Sequence, residues 1–82
     1  SFMVNCKNQE EVDYYWNALT ACGEESMCGW LVDKFGLSWQ IIPDALGKLM
    51  SDPDRNKSQK VMMAMLKMKK IIVADLEAAL ND

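Results

Sequence analysis

Cys28-Gly29-Trp30-Leu31-Val32-Asp33-Lys34-Phe35-Gly36-Leu37-Ser38-Trp39-Gln40-Ile41-Ile42-Pro43 decides the fold. Two apolar runs flank Asp33-Lys34-Phe35-Gly36, where a tight turn is expected. Aspartate suits the first turn position because its carboxylate accepts main-chain N–H bonds, and glycine suits the last because it tolerates a positive φ. A three-residue loop with a bulge at Gly36 pairs Asp33 with Leu37 and Leu31 with Trp39. The period of two then predicts the faces. Leu31, Leu37, Trp39 and Ile41 share the apolar side. Trp30, Val32, Ser38, Gln40 and Ile42 share the other, whose mixture of aromatic, hydroxyl and amide groups suits a lined cavity or a wet interface. A slip of one residue exchanges the two sets.

The 82 residues make one small domain with half its residues hydrophobic. A chain of this size buries only about 60% of its unfolded surface, so its own core is marginal. The formal charge of −3 predicts no nucleic-acid partner. No apolar run is long enough for a bilayer, so no membrane partner is expected. Three cysteines without motif spacing predict reduced thiols in a cytoplasmic protein. The absence of histidine removes His-dependent triads and His-containing metal sites together.

Upstream, Ser1-Phe2-Met3-Val4-Asn5-Cys6 reads as a strand with no lead-in, as in a piece of a longer protein. Asn8 to Ala21 reads as a helix with a capping box from Asn8 to Glu11. Val12, Tyr15, Trp16, Leu19 and Cys22 form its apolar stripe, and Gly23 is expected as a left-handed C-cap. Glu24-Glu25 reads as an edge strand or as the loop into the hairpin.

Downstream, Asp44 is expected to cap a short helix through Leu49. Asp52-Pro53-Asp54 reads as a strong helix start, with an acid as cap and proline in the first position. That helix is expected to reach Met68 or Lys69, burying Val61, Met62, Met65, Leu66 and Met68 against the sheet or a second subunit. A last helix covers about 73–80 on Leu76, Ala79 and Leu80, with Asp75 in its first turn.

Gln9-Glu10-Glu11-Val12-Asp13-x-x-Trp16-x-x-Leu19, then Gly29-Trp30-Leu31-x-Asp33-Lys34-Phe35-Gly36-Leu37-Ser38-Trp39-Gln40-Ile41-x-Pro43, then Leu46-Gly47-x-Leu49-x-Ser51-Asp52-Pro53-Asp54 resembles the PhnB-like proteins. These are often labelled 3-demethylubiquinone-9 3-methyltransferase domains. They belong to the vicinal oxygen chelate superfamily, with glyoxalase I, extradiol dioxygenases and bleomycin-resistance proteins. The resemblance implies an α+β fold: a single βαβββ glyoxalase-like module with a mixed or antiparallel sheet and a helical C-terminal tail. The module is expected over 1–50, and helices packed on it or on a partner subunit over 51–82. Two such modules normally enclose a cleft, so the chain looks like the C-terminal module of a usual relative. A homodimer, or pairing with a second βαβββ module, is expected to complete that cleft.

The resemblance also bears on chemistry. Metal enzymes of the superfamily use a Glu near the end of each module's last strand, after an Asp-x-x-Gly turn. That position here is Gln40, and an amide is a poor ligand for a hard divalent cation. The strand-1 ligand falls near Ser1 or upstream. No metal site and no cofactor is expected. The methyltransferase label meets a similar difficulty, since no Gly-rich strand-to-helix turn is present for S-adenosylmethionine. The best reading is a small-molecule-binding module with Trp30, Ser38 and Gln40 as ligand-binding residues. One alternative is a structural or protein-interaction fragment using the Met-rich helix. The other is a divalent-metal-dependent lyase, isomerase or dioxygenase.

Overall fold

A computed structural model describes residues 2–81. The elements run β1 (Phe2–Cys6), α1 (Gln9–Thr20), β2 (Glu24–Glu25), β3 (Trp30–Val32), β4 (Ser38–Pro43), α2 (Asp44–Met50), α3 (Arg55–Leu66) and α4 (Val73–Ala79). The four strands form one sheet in the order β1-β4-β3-β2. β4 runs parallel to β1 and antiparallel to β3, and β2 is antiparallel to β3. This α+β arrangement is that of a small βαβββ module followed by helices.

The hairpin forms in the register that its turn residues dictate. Leu31 lies opposite Trp39, and the Asp33 N–H donates to the Leu37 carbonyl at 2.9 Å. Gly36 has φ +83° with open space around it, so the bulge asks it only for the left-handed conformation that glycine adopts freely. The Asp33 carboxylate holds the loop from inside. Its Oδ1 accepts the Phe35 and Leu37 N–H groups at 2.9 and 3.0 Å, and its Oδ2 accepts the Trp39 indole N–H at 2.8 Å.

Leu31 and Ile41 are fully buried with Cys6, Val12 and Trp16, while Val4, Leu19 and Trp39 pack around them. Their burial is worth roughly 1.5–3 kcal/mol per large side chain. Leu37 does not join them. It falls in the turn rather than in β4 and is 45% exposed. Burial also lifts the Cys6 thiol pKa above its ordinary value, with Glu11 and Asp44 adding to the shift.

α1 lies across one face of the sheet, against β1, β3 and β4. Asn8 caps it by accepting the Glu11 N–H at 3.0 Å. Glu11 reaches back one residue further than a standard capping box, accepting the Lys7 N–H at 2.8 Å. The buried stripe is narrower than the sequence suggests. Val12 and Trp16 are buried, whereas Tyr15 is 38% exposed and stacks edge-on against Tyr14, and Cys22 is exposed. Gly23 is no left-handed cap, because positive φ among the glycines occurs at Gly29 and Gly36. Its constraint is steric: a Cβ there would sit 2.1 Å from the Val32 carbonyl oxygen.

The helical tail builds a second core from Leu46, Val61, Ile71 and Leu76, with Ile42, Met65 and Met68 among the residues packed on it. Two cores in one short chain give an elongated shape, 40 × 20 × 19 Å. The start of α3 differs from expectation. Asp52 accepts the Asp54 N–H, and Asp54 is the cap, accepting the Asn56 N–H at 2.9 Å. Pro53 therefore belongs to the turn before the helix. α3 ends at Leu66 and packs on α2 and α4 rather than on the sheet. Met62 and Leu66 are accordingly 44% and 55% exposed instead of buried.

The strap 68–73 ties the tail to the module. Cys28 and Gly29, with φ of 60° and 83°, turn their N–H groups toward the Met68 and Lys69 carbonyls at 2.8 Å each. Gln9 of α1 completes the junction. Its amide N–H groups donate to the Ile71 carbonyl and to Asp13 Oδ1, both at 3.0 Å, and its Oε1 accepts the Val73 N–H at 2.7 Å. Lys70 pairs with Asp13 at 2.9 Å.

Gln9→Ala leaves a main-chain carbonyl and N–H without their partner in a half-buried junction. It should lower stability by about 1–3 kcal/mol. Gln9→Glu should cost more, because it also faces Asp13. Urea denaturation gives the size, and faster amide exchange at Val73 gives the place. The pH dependence of unfolding supplies a second prediction. Hydrogen bonding from the Trp39 indole and from the turn N–H groups holds the Asp33 pKa below its usual value, and bonds from Gln9 and then Lys70 lower that of Asp13. A lowered folded-state pKa stabilises above the unfolded value, near 3.9. That contribution is lost as pH falls through the folded value. Asp33→Asn should flatten the acid limb of the stability–pH curve, read by denaturant midpoints from neutral pH downward.

Candidate functional site

The strand period and the register decide what the helix-free face of the sheet carries. Trp30 and Gln40 are cross-strand partners, so their side chains stand on the same face. Ser38 precedes Gln40 by two residues and lies opposite Val32. All of these, with Ile42, are half-buried. The structure therefore brings Trp30, Ser38 and Gln40 together on the side away from α1.

Two further residues join them that the sequence does not reveal. β1 pairs with β4 in parallel, placing Met3 beside Gln40 and Asn5 beside Ile42. A row Met3–Gln40–Trp30 thus crosses three strands. Period two within β1 separates Met3 and Asn5 from Phe2, Val4 and Cys6, but which strand β1 pairs with, and in which register, is a tertiary fact. Phe2 and Met3 are 52% and 62% exposed at the β1 end of the sheet. Phe2 stacks on Trp39, ring centroids 4.9 Å apart.

The first residues of the hairpin shape the lower end of this face. Gly29 has φ +83°, and a Cβ there would meet the Ile41 carbonyl oxygen at 2.9 Å and Ile71 Cγ1 at 3.1 Å. Only glycine lets β3, β4 and the strap come this close. The turn of chain at Cys28 also presents its carbonyl to Gln40, whose Nε2 donates to it at 3.4 Å. That bond is long for an amide donor and contributes weakly. The Gln40 side chain is thus positioned by its own protein but lightly held.

The face is poor in ligands for a divalent metal. Its oxygen donors are the Asn5 and Gln40 amides, the Ser38 hydroxyl and one carboxylate, Glu24, opposite Val32 on the edge strand. Among the described residues, no three His, Cys, Asp or Glu side chains gather at a point. The strand-1 ligand position near Ser1 lies outside the described residues. S-adenosylmethionine fits no better at the strand-to-helix junction. Asn8, not a glycine-rich turn, occupies the connection from β1 to α1 and caps the helix with its own side chain. A 170 Å³ pocket lies elsewhere, between the end of α1 and the hairpin turn, lined by Ala18, Cys22 and Phe35 among others.

A family model described as 3-demethylubiquinone-9 3-methyltransferase matches residues 1–42. The matched stretch covers β1, α1 and the three-stranded run almost to its end, and stops where the helical tail begins. No curated protein matches the chain. Among the described residues, no helix is long and apolar enough to cross a membrane.

Gln40→Ala should change the unfolding midpoint by less than about 0.5 kcal/mol, as expected for a residue whose internal bond is weak. Gly29→Ala should destabilise by more than a kilocalorie-scale surface change, because it combines backbone strain with a main-chain clash. Parallel chemical denaturation of the two variants checks both.

Proposed function

The chain belongs to the 3-demethylubiquinone-9 3-methyltransferase family, and from that premise we propose that it is a glyoxalase-fold, small-molecule-binding module whose cleft is completed by dimerisation. The observation that carries this reading is the row Met3–Gln40–Trp30 on the uncovered face, next to the outer edge of β1. A tryptophan offers a flat apolar wall, a lightly held glutamine offers a donor and an acceptor, and Ser38 adds a hydroxyl. Planar ligands with polar edges suit that combination.

The half-covered sheet favours a second module. β1 is the end strand, and its Phe2 and Met3 are more than half exposed. Pairing a second copy along that edge satisfies main-chain groups and walls in the row from the other side. Binding rather than methyl transfer is the reading supported, because the junction that would seat the methyl donor is occupied by a helix cap.

Light scattering at tens of micromolar should give twice the 9.3 kDa chain mass, and Met3→Glu should shift the equilibrium toward monomer. A stable monomer at that concentration counts against the shared cleft. A metabolite library screened by tryptophan fluorescence should yield ligands that quench emission, with quenching lost in Trp30→Ala and weakened in Gln40→Ala. Silence across a library of planar acids and phenols would overturn the binding role.

A further inference from the structure

The face away from α1 carries a single charge, and the edge strand sets where it sits. Glu24 pairs with Val32, so its side chain stands on the side of Trp30, Ser38 and Gln40. Glu25 pairs with Leu31 and turns toward α1. Among the described strand residues of the uncovered face, Glu24 is the one ionisable group. The chain beyond Glu25 stays beside the hairpin. The Ser26 N–H donates to the Trp30 carbonyl at 2.9 Å, and the Trp30 N–H donates to the Met27 carbonyl at 3.1 Å. Glu24 is thus one strand over and two residues along from Trp30. Such diagonal neighbours are about 7–8 Å apart, within reach of long and aromatic side chains. The Glu24 side chain is exposed, and no hydrogen bond or ion pair to its carboxylate occurs among the described residues.

On the premise that this face binds a small molecule, we infer that it selects a planar cation, an aromatic amidine or amine, and that Glu24 determines the selection. The face of an indole attracts a cation through its quadrupole, and the free carboxylate adds a full negative charge beside it. The Gln40 amide and the Ser38 hydroxyl accept N–H groups from the edge of such a ligand. A planar anion of the same shape meets Glu24 with no positive strand residue on this face to offset it. A neutral ligand keeps the stacking and the amide contacts but gains nothing from the charge. Pairing with a second copy strengthens the bias, because a two-fold axis repeats the same residues and brings a second Glu24.

Glu24 and Glu25 share a structural role, since charges on an edge strand discourage further strand pairing. The ligand role separates them, because the two carboxylates stand on opposite faces. Glu25→Gln therefore removes the same net charge from the next residue without touching the cleft.

The test uses benzamidine, benzamide and benzoate, three planar rings of similar shape that differ in charge. Each is titrated into nitrogen-15-labelled protein, and affinity is read from the shifts of the Trp30 indole and Gln40 side-chain N–H groups. Benzamidine should bind tightest and benzoate weakest. Glu24→Gln should weaken benzamidine about three- to fivefold, the size of an exposed ion pair, and leave benzamide unchanged. Glu25→Gln should leave both unchanged. Half-molar sodium chloride should narrow the gap between benzamidine and benzamide. Both glutamates are exposed, so an unchanged unfolding midpoint verifies that each variant is folded. The inference is overturned if benzoate binds as well as benzamidine, or if Glu24→Gln leaves benzamidine affinity intact. It is also overturned if Glu25→Gln weakens benzamidine equally, which would assign the preference to the net charge of the chain. In those three outcomes benzamide still shifts Trp30 and Gln40, and the binding role of the face stands. If none of the three compounds moves either signal, the binding role fails and the cation preference falls with it.

Discussion

A slip of one residue between β3 and β4 would turn Trp30 and Gln40 toward α1 and push Leu31 and Ile41 into water. Re-exposing the two aliphatic side chains alone costs about 1.5–3 kcal/mol each, a large share of what so short a chain can gather. The Asp33 carboxylate adds a local check on the same register. One oxygen collects the Phe35 and Leu37 N–H groups, which sets the length of the loop. The other collects the Trp39 indole, which fixes the helix side of β4. Hydrophobic pattern, turn chemistry and a side-chain bond therefore select one pairing, and the composition of the open face follows from it.

This convergence explains why the hairpin was legible. Aspartate and glycine three apart between alternating runs leave little freedom, and the pairing of Leu31 with Trp39 follows by counting. Leu37 shows the limit of counting: it has the right parity for the core but lies within the loop, before the strand begins. The helix stripe failed in a related way at Tyr15 and Cys22. Spacing places them near the apolar side, but the sheet under α1 is narrow and covers only Val12 and Trp16 fully. Periodicity gives a direction and says nothing about how wide the supporting surface is.

The tail was less legible because its partners are remote in sequence. Val61 and Met65 have a helical spacing that could suit a sheet as well as other helices. What decides is the strap, and the strap depends on Gln9, more than sixty residues away from the groups it binds. A surface glutamine in the first turn of a helix carries no signal of that role. Its amide bridges two main-chain groups of the strap as a neighbouring strand would, so an extended segment is secured without a fifth strand. The same strap sets the Met-rich helix beside α4, off the sheet, with Met65 turned to the second core and Met62 and Met63 outside.

Candidate residues on the face divide by the same logic. Trp30, Ser38 and Gln40 come from the hairpin, where local chemistry fixes parity, and they could be named in advance. Met3 and Asn5 come from β1, whose position depends on a parallel pairing closed through α1 and the hairpin. Local signals cannot supply that pairing, because the cost of closing the loop is met by burial of Cys6, Val12 and Trp16 together. The uncovered face is therefore a by-product of one-sided closure: a single helix can screen only one side of a twisted sheet. The tail, tied at the sheet's end by Gln9 and Gly29, packs on Ile42 from the other side. Within the chain Gln40 meets the Cys28 carbonyl, and β1 is the end strand, whose outer main-chain groups no neighbouring strand of the sheet satisfies.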